Sequence, residues 1–211
     1  MGTETIPDRK GRKGLTTFDG FMAFNTLILI GSTAYAYATA ELEFGLYAAV
    51  ILTLGLLAWR ILRRYDYPLW MLALLQIAVF AHFAGGFLQL PPDNHSLYYH
   101  EFFGIRFDKI VHFFNSALIA IVLMSIFRQA KMRLKPMEGF VIVGVVTGLG
   151  AAIEILEYFA VLTIPNTGVG DYMNTVEDLI MNLLGAIAGY VIWRIGETLI
   201  GRRVESESSQ T

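Results

Sequence analysis

The sequence predicts an all-α, polytopic membrane protein of about six transmembrane helices, with both termini in the cytoplasm. Three observations carry this expectation. The 211 residues are 55% hydrophobic and only 16% charged, with a mean hydropathy of +0.53, more apolar surface than one soluble core of this length can hide. The apolar residues fall into runs of about 20, the length needed to cross a hydrocarbon layer as a helix. The third observation is that lysine and arginine gather in alternate linkers, as cytoplasmic loops require.

Residues 1–17 are polar, with Arg9, Lys10, Arg12 and Lys13 ahead of the first apolar run, and read as a basic cytoplasmic N-terminus. That run, from about Phe18 to Ala40, is too long for a signal-peptide core and lacks a convincing cleavage site, so it reads as a retained span. The others are about Phe44–Leu62, Pro68–Leu90, Asp108–Phe127, Met137–Leu162 and Thr175–Leu199. Together residues 18–200 form a single six-helix membrane domain, and 201–211, rich in Ser and Glu, read as a disordered cytoplasmic tail. Under strict alternation from a cytoplasmic N-terminus, 14 of the 16 Lys and Arg residues fall inside and only Arg106 and Lys109 fall outside. This places the chain in the cytoplasmic membrane as a multi-pass protein.

Composition and motif content also exclude classes. With no cysteine there are no disulfides, thiolate metal sites or cysteine nucleophiles. The chain has no phosphate-cradling glycine loop, dinucleotide fingerprint, His-Glu-x-x-His or Gly-x-Ser-x-Gly. Its basic residues are spread over four cytoplasmic segments, which suits topology and anionic head groups rather than nucleic acid. Asn94-His95-Ser96 is a formal glycosylation sequon on the outer loop of residues 91–107. Oligomeric state has no signature in the sequence.

The polar residues inside the spans carry the candidate chemistry. Span three holds His82 late, span four Asp108, His112 and Asn115 early, span five Glu154 and Glu157 late, and span six Asp178 and Asn182 early. With alternating direction all of them fall in the outer half of the bilayer. At about 1.5 Å rise per residue, Glu157 lies roughly 7 Å and Glu154 roughly 12 Å below the outer end of span five. Helical spacing collects them into stripes: His82, Gly85, Gly86 and Gln89; Asp108, His112 and Asn115; Thr147, Gly150, Glu154 and Glu157; Asp178, Asn182, Gly185 and Gly189. Spans three to six are therefore expected to bundle with these stripes inward, helped by Gly144-x-x-x-Gly148 and Gly185-x-x-x-Gly189, while spans one and two act as a lipid-facing scaffold.

Several of these residues have ordinary structural readings. Asp108 can cap span four, Asn174 or Thr175 can cap span six with Glu177 or Asp178 completing a capping box, and Lys109 is expected to snorkel to the outer interface. His82, Asn115 and Asn182 can serve as interhelical hydrogen-bonding residues. Glu154 and Glu157 resist such a reading. They lie one turn apart within an apolar run, and an ionised carboxylate near the bilayer centre costs on the order of 2.5–3.5 kcal/mol. Inward carboxylates and imidazoles from several helices fit a divalent metal site with Zn, Mn or Fe, in which His82, His112, Glu154 and Asp178 are ligands and Glu157 or Asp108 is a catalytic base. Lys109, Asn115 and Asn182 support it.

Taken in order, His82-x-x-Gly-Gly, Asp108-Lys109-x-x-His112-Phe113, Glu154-x-x-Glu157 and Asp178-x-x-x-Asn182-x-x-Gly185 resemble the YjdF family of membrane proteins and, more loosely, the VanZ-like group, over roughly residues 66–200. The YjdF resemblance implies a helical membrane fold and no defined activity. The VanZ-like one implies a role in the cell envelope, with a departure at Glu157, where that group often carries Gln. Two functions are consistent with these residues: an enzyme acting on a lipid head group or lipid-linked envelope precursor, or a non-enzymatic scaffold, envelope accessory protein or small-solute permease with a hydrogen-bonded polar core.

Overall fold

The computed structural model describes residues 14–38, 42–91, 95–132, 134, 136–164, 167 and 170–208, with backbone alone for 42–48 and 201–208. Arg9, Lys10, Arg12, Lys13, Asn94, Arg133 and Lys135 lie outside the described side chains. Six α-helices account for the six expected spans: α1 (Thr17–Ala38), α2 (Leu42–Leu62), α3 (Leu69–Phe87), α4 (Phe107–Gln129), α5 (Glu138–Thr163) and α6 (Tyr172–Ser208). Among the described residues, α1, α3, α4, α5 and the Tyr172–Ile200 part of α6 are long and apolar enough to cross a membrane, and α2 is apolar from Ala49 to Leu62. The protein is an all-α, multi-pass membrane protein. Only helices satisfy all their backbone groups within one apolar crossing segment, which is why each hydrophobic run takes this form.

Three ends differ from the sequence expectation by three residues or more: α3 stops at Phe87 rather than Leu90, and α6 departs at both ends. α6 begins at Tyr172 rather than Thr175, because Asp171 caps it: Asp171 Oδ1 accepts the Asn174 N–H at 3.0 Å. It also continues to Ser208, through eight residues of the expected disordered tail. No proline interrupts that stretch, and its Arg and Glu residues favour helix.

The segment between α3 and α4 has more structure than its composition announces. β1 (Gln89–Leu90) pairs with β2 (His95–Ser96), a 3-10 turn covers Leu97–Tyr99, and β3 (Glu101–Phe102) pairs with β4 (Ile105–Arg106). The second hairpin turns through Phe103 and Gly104 at φ 56° and 77°, the double positive φ of a tight hairpin turn.

Packing divides the chain into two compact units, residues 1–76 with 156–169 and residues 77–155 with 170–211. In the first, α1 packs on α2. Thr16 and Asp19 form a capping box at the start of α1, the Asp19 N–H donating to Thr16 Oγ1 at 3.1 Å and the Thr16 N–H to Asp19 Oδ2 at 2.9 Å. Asp19 Oδ1 also accepts the Trp59 indole N–H at 2.8 Å, tying the start of α1 to the end of α2. Asn25 and Gln76 exchange two amide hydrogen bonds of 2.9 and 3.2 Å, an interhelical link between α1 and α3.

In the second unit α4 and α6 pack most extensively. A core of Ala120, Met124 and Phe127 on α4, Ile142 and Val146 on α5 and Ala186 on α6 is flanked by Tyr190 and Trp193. Gly185 and Gly189 form a seam as expected: a Cβ on Gly185 would sit 2.1 Å from the Phe113 carbonyl oxygen, and one on Gly189 2.2 Å from that of Ala117. Gly144-x-x-x-Gly148 forms no such seam among the described residues, since a Cβ on either residue would meet none of them within 4 Å. The glycines of α5 that admit a neighbour are Gly139, against the Tyr190 ring, and Gly150, against the Asn182 amide. Beyond the core, Arg128 makes paired bonds to both Glu138 and Glu197, and Arg194 donates to Glu138 at 3.1 Å. Two guanidiniums thus balance two carboxylates where α4 ends and α5 begins.

Candidate functional site

The site lies in the second unit and is built from α4, α5 and α6. Asp108 is the second residue of α4 and not its cap, since the N-cap position is held by Arg106 without a side-chain cap bond. Asp108 Oδ1 instead accepts the Lys109 backbone N–H at 2.7 Å, and Oδ2 pairs with Arg106 at 2.9 Å and Lys109 Nζ at 3.4 Å.

Lys109 does not snorkel. It is 5% exposed, and its ammonium donates to the Asn174 carbonyl at 3.0 Å, Asn174 Oδ1 at 2.8 Å and Asp178 Oδ1 at 3.0 Å. The inward turn has a physical cause. Three acceptors converge there from the first two turns of α6, matching the three protons of the ammonium, and no comparable partner set is needed from water. Asn174 is available for this because Asp171 has taken the capping role, and its Nδ2 donates to Asp178 Oδ2 at 2.8 Å. Gly170 makes room for it: a Cβ there would lie 2.5 Å from Asn174.

One turn along α4, His112 lies between two carboxylates. Its Nε2 is 3.5 Å from Asp178 Oδ1 and its Nδ1 3.9 Å from Glu154 Oε1. Nδ1 is also 3.3 Å from Asn182 Oδ1, which accepts the Ser116 hydroxyl at 2.8 Å. Glu154, Asp178 and Asn182 are 6%, 1% and 3% exposed. One ligand atom each from His112, Glu154 and Asp178 can be chosen so that all lie within 4.8 Å of one another. With ionised side chains, Asp108, Glu154, Asp178 and the exposed Glu177, 3.6 Å from Lys109, oppose Arg106 and Lys109, leaving two negative charges that a divalent cation would neutralise.

Three of the four expected ligands are therefore adjacent. His82 is not part of this set, and its ring is engaged by Tyr98: the Tyr98 hydroxyl lies 2.6 Å from its Nδ1 and 2.8 Å from its carbonyl oxygen. A Cβ on Gly85 would come within 2.2 Å of the Tyr98 ring, so Gly85 in His82-x-x-Gly-Gly is where the loop residue lies against α3. Asn115 is half-buried on α4. Glu157 is half-buried on α5 within residues 156–169, in the first unit. Sequence reasoning missed Ser116 and Tyr98 and gave Asn174 only a capping role. Ser116 was detectable, four residues after His112 on the same face. Tyr98 had no periodic signal.

The apolar helices of the described residues define the chain as a polytopic membrane protein, and its second unit contains a buried ionisable cluster. The chain belongs to the DUF2238 family of predicted membrane proteins, whose model matches residues 20–197. This supports the YjdF resemblance, not the wider VanZ-like one. Comparison with curated proteins and with solved structures gives no match.

Proposed function

We propose that the protein holds a divalent metal ion, Zn, Mn or Fe, through His112, Glu154 and Asp178, in the outer half of the cytoplasmic membrane, and acts there on an anionic lipid head group or lipid-linked envelope precursor. The observation that supports it is the convergence of one imidazole and two buried carboxylates from three helices within 4.8 Å. One nitrogen and two oxygen donors suit these metals, and three protein ligands leave coordination positions open. Asp178 accepts one bond at each oxygen from Lys109 and Asn174, and a carboxylate has lone pairs left for an ion. A bound metal would polarise a phosphoryl oxygen and acidify a water molecule. Arg106 supplies positive charge for an anionic head group. Both Asp108 oxygens are engaged, by the Lys109 N–H and by Arg106, so Asp108 holds these basic groups in place.

Purified, detergent-solubilised protein is expected to contain about one Zn, Mn or Fe per chain by elemental analysis, with the metal lost in Glu154→Gln and His112→Ala while the helical circular dichroism persists. Metal-free wild-type protein of undiminished stability would overturn this reading. It would favour a non-enzymatic scaffold or permease, a reading supported by the saturation of Lys109 within the protein. The proposed orientation has its own check. Cysteines introduced at Ser96 and Thr167 should react with an impermeant maleimide added outside intact cells, whereas one at Lys131 should not. Reaction at Lys131 alone would invert the assignment.

A further inference from the structure

We infer that Asn182, braced by Ser116, is the positioning residue that fixes which nitrogen of His112 faces the metal; this rests on the metal reading above. A neutral imidazole carries one proton, so one ring nitrogen donates and the other is the ligand. Both nitrogens of His112 lie near oxygens, and the carboxylates alone leave the choice open, since Glu154 faces Nδ1 at 3.9 Å and Asp178 faces Nε2 at 3.5 Å.

Asn182 breaks the tie. Its Oδ1, 3.3 Å from Nδ1, accepts the Ser116 hydroxyl at 2.8 Å and can only accept. That places the imidazole proton on Nδ1 and leaves Nε2 bare toward Asp178. The amide is held from the other side by α5, where a Cβ on Gly150 would fall 2.5 Å from Asn182 Nδ2. Asn182 Nδ2 is buried and makes no hydrogen bond among the described residues, and with Oδ1 turned to His112 the amide takes the Ser116 hydroxyl as its donor. The reversed amide would present N–H groups to Nδ1 and make Nδ1 the acceptor instead. The two orientations therefore predict different ligand atoms. Metal-binding histidines commonly donate their second N–H in this way, and loss of that partner weakens metal affinity about 10–100-fold.

The test is Co2+ binding to the detergent-solubilised full chain, followed by its visible ligand-field spectrum, in wild type, Asn182→Leu, Asn182→Asp and Ser116→Ala. Asn182→Leu should bind about 10–100-fold more weakly with an altered spectrum. Asn182→Asp, which keeps an acceptor at Nδ1, should restore binding and the wild-type spectrum, whereas a packing role would be kept by the leucine of similar volume. If Asn182→Leu does not fold, Ser116→Ala carries the test, with weaker binding and a shifted spectrum expected. Wild-type affinity and spectrum in the folded Asn182→Leu or Ser116→Ala protein would overturn the inference alone, as would Asn182→Asp binding no better than Asn182→Leu. Absence of Co2+ binding by wild type would overturn the metal reading and this inference with it.

Discussion

Lys109→Met will destabilise the folded protein by about 3–5 kcal/mol, the cost of leaving a buried charge without its partner. Asp178 is 1% exposed and loses the ammonium at 3.0 Å. Asp108 loses a pairing at 3.4 Å and keeps Arg106. Equilibrium unfolding in mixed detergent micelles measures the effect. The double variant Lys109→Met/Asp178→Asn should recover part of the loss, because removing both charges takes away the uncompensated one. A Lys109→Met protein within about 1 kcal/mol of wild type, the range of an exposed pair, would show that the side chain reaches water after all.

The second large effect concerns the glycine seam. Gly185→Ala and Gly189→Ala should each cost about 1–3 kcal/mol or more, because the added methyl meets a backbone carbonyl that cannot rotate away. Gly144→Ala and Gly148→Ala should be neutral or stabilising by up to about 1 kcal/mol, since alanine is the better helix former and the space is open. The same unfolding measurement compares all four. Equal losses at the two motifs would contradict the assignment of α6, rather than α5, as the helix in backbone contact with α4.

These two motifs also show where sequence reading stops. Gly144-x-x-x-Gly148 and Gly185-x-x-x-Gly189 are identical in spacing, yet among the described residues only the second lies against another helix. Which face of a helix meets a neighbour is a property of assembly, not of period. Helix limits were legible to within about three residues because each span is a single apolar run, except at the end of α6, where a polar continuation keeps its helical path. The stripes correctly aligned His112, Glu154, Asp178 and Asn182, since a 3.6-residue period fixes a face. Lys109 was not legible. Its acceptors lie 65 and 69 residues away, and an isolated lysine at a helix start looks like an interfacial anchor. Arg128 and Arg194 were visible only as topogenic charges, their pairing with Glu138 and Glu197 being long-range or set across a helix-to-helix turn.

The pairings along α4 and α6 keep nearly constant offsets: Lys109 with Asp178, Phe113 with Gly185, Ala117 with Gly189 and Arg128 with Glu197. The two helices therefore run parallel, and their N-termini share one end of the unit. Each helix start carries roughly half a positive elementary charge from its aligned peptide dipoles. Two such ends side by side give that surface a backbone electropositivity independent of any lysine or arginine. Asp108 and Asp171 lie within it, and His112, Glu154 and Asp178 lie up to about a turn and a half deeper. The peptide backbone thus favours negative charge at that end of the unit, where the carboxylates of Asp108 and Asp171 already lie.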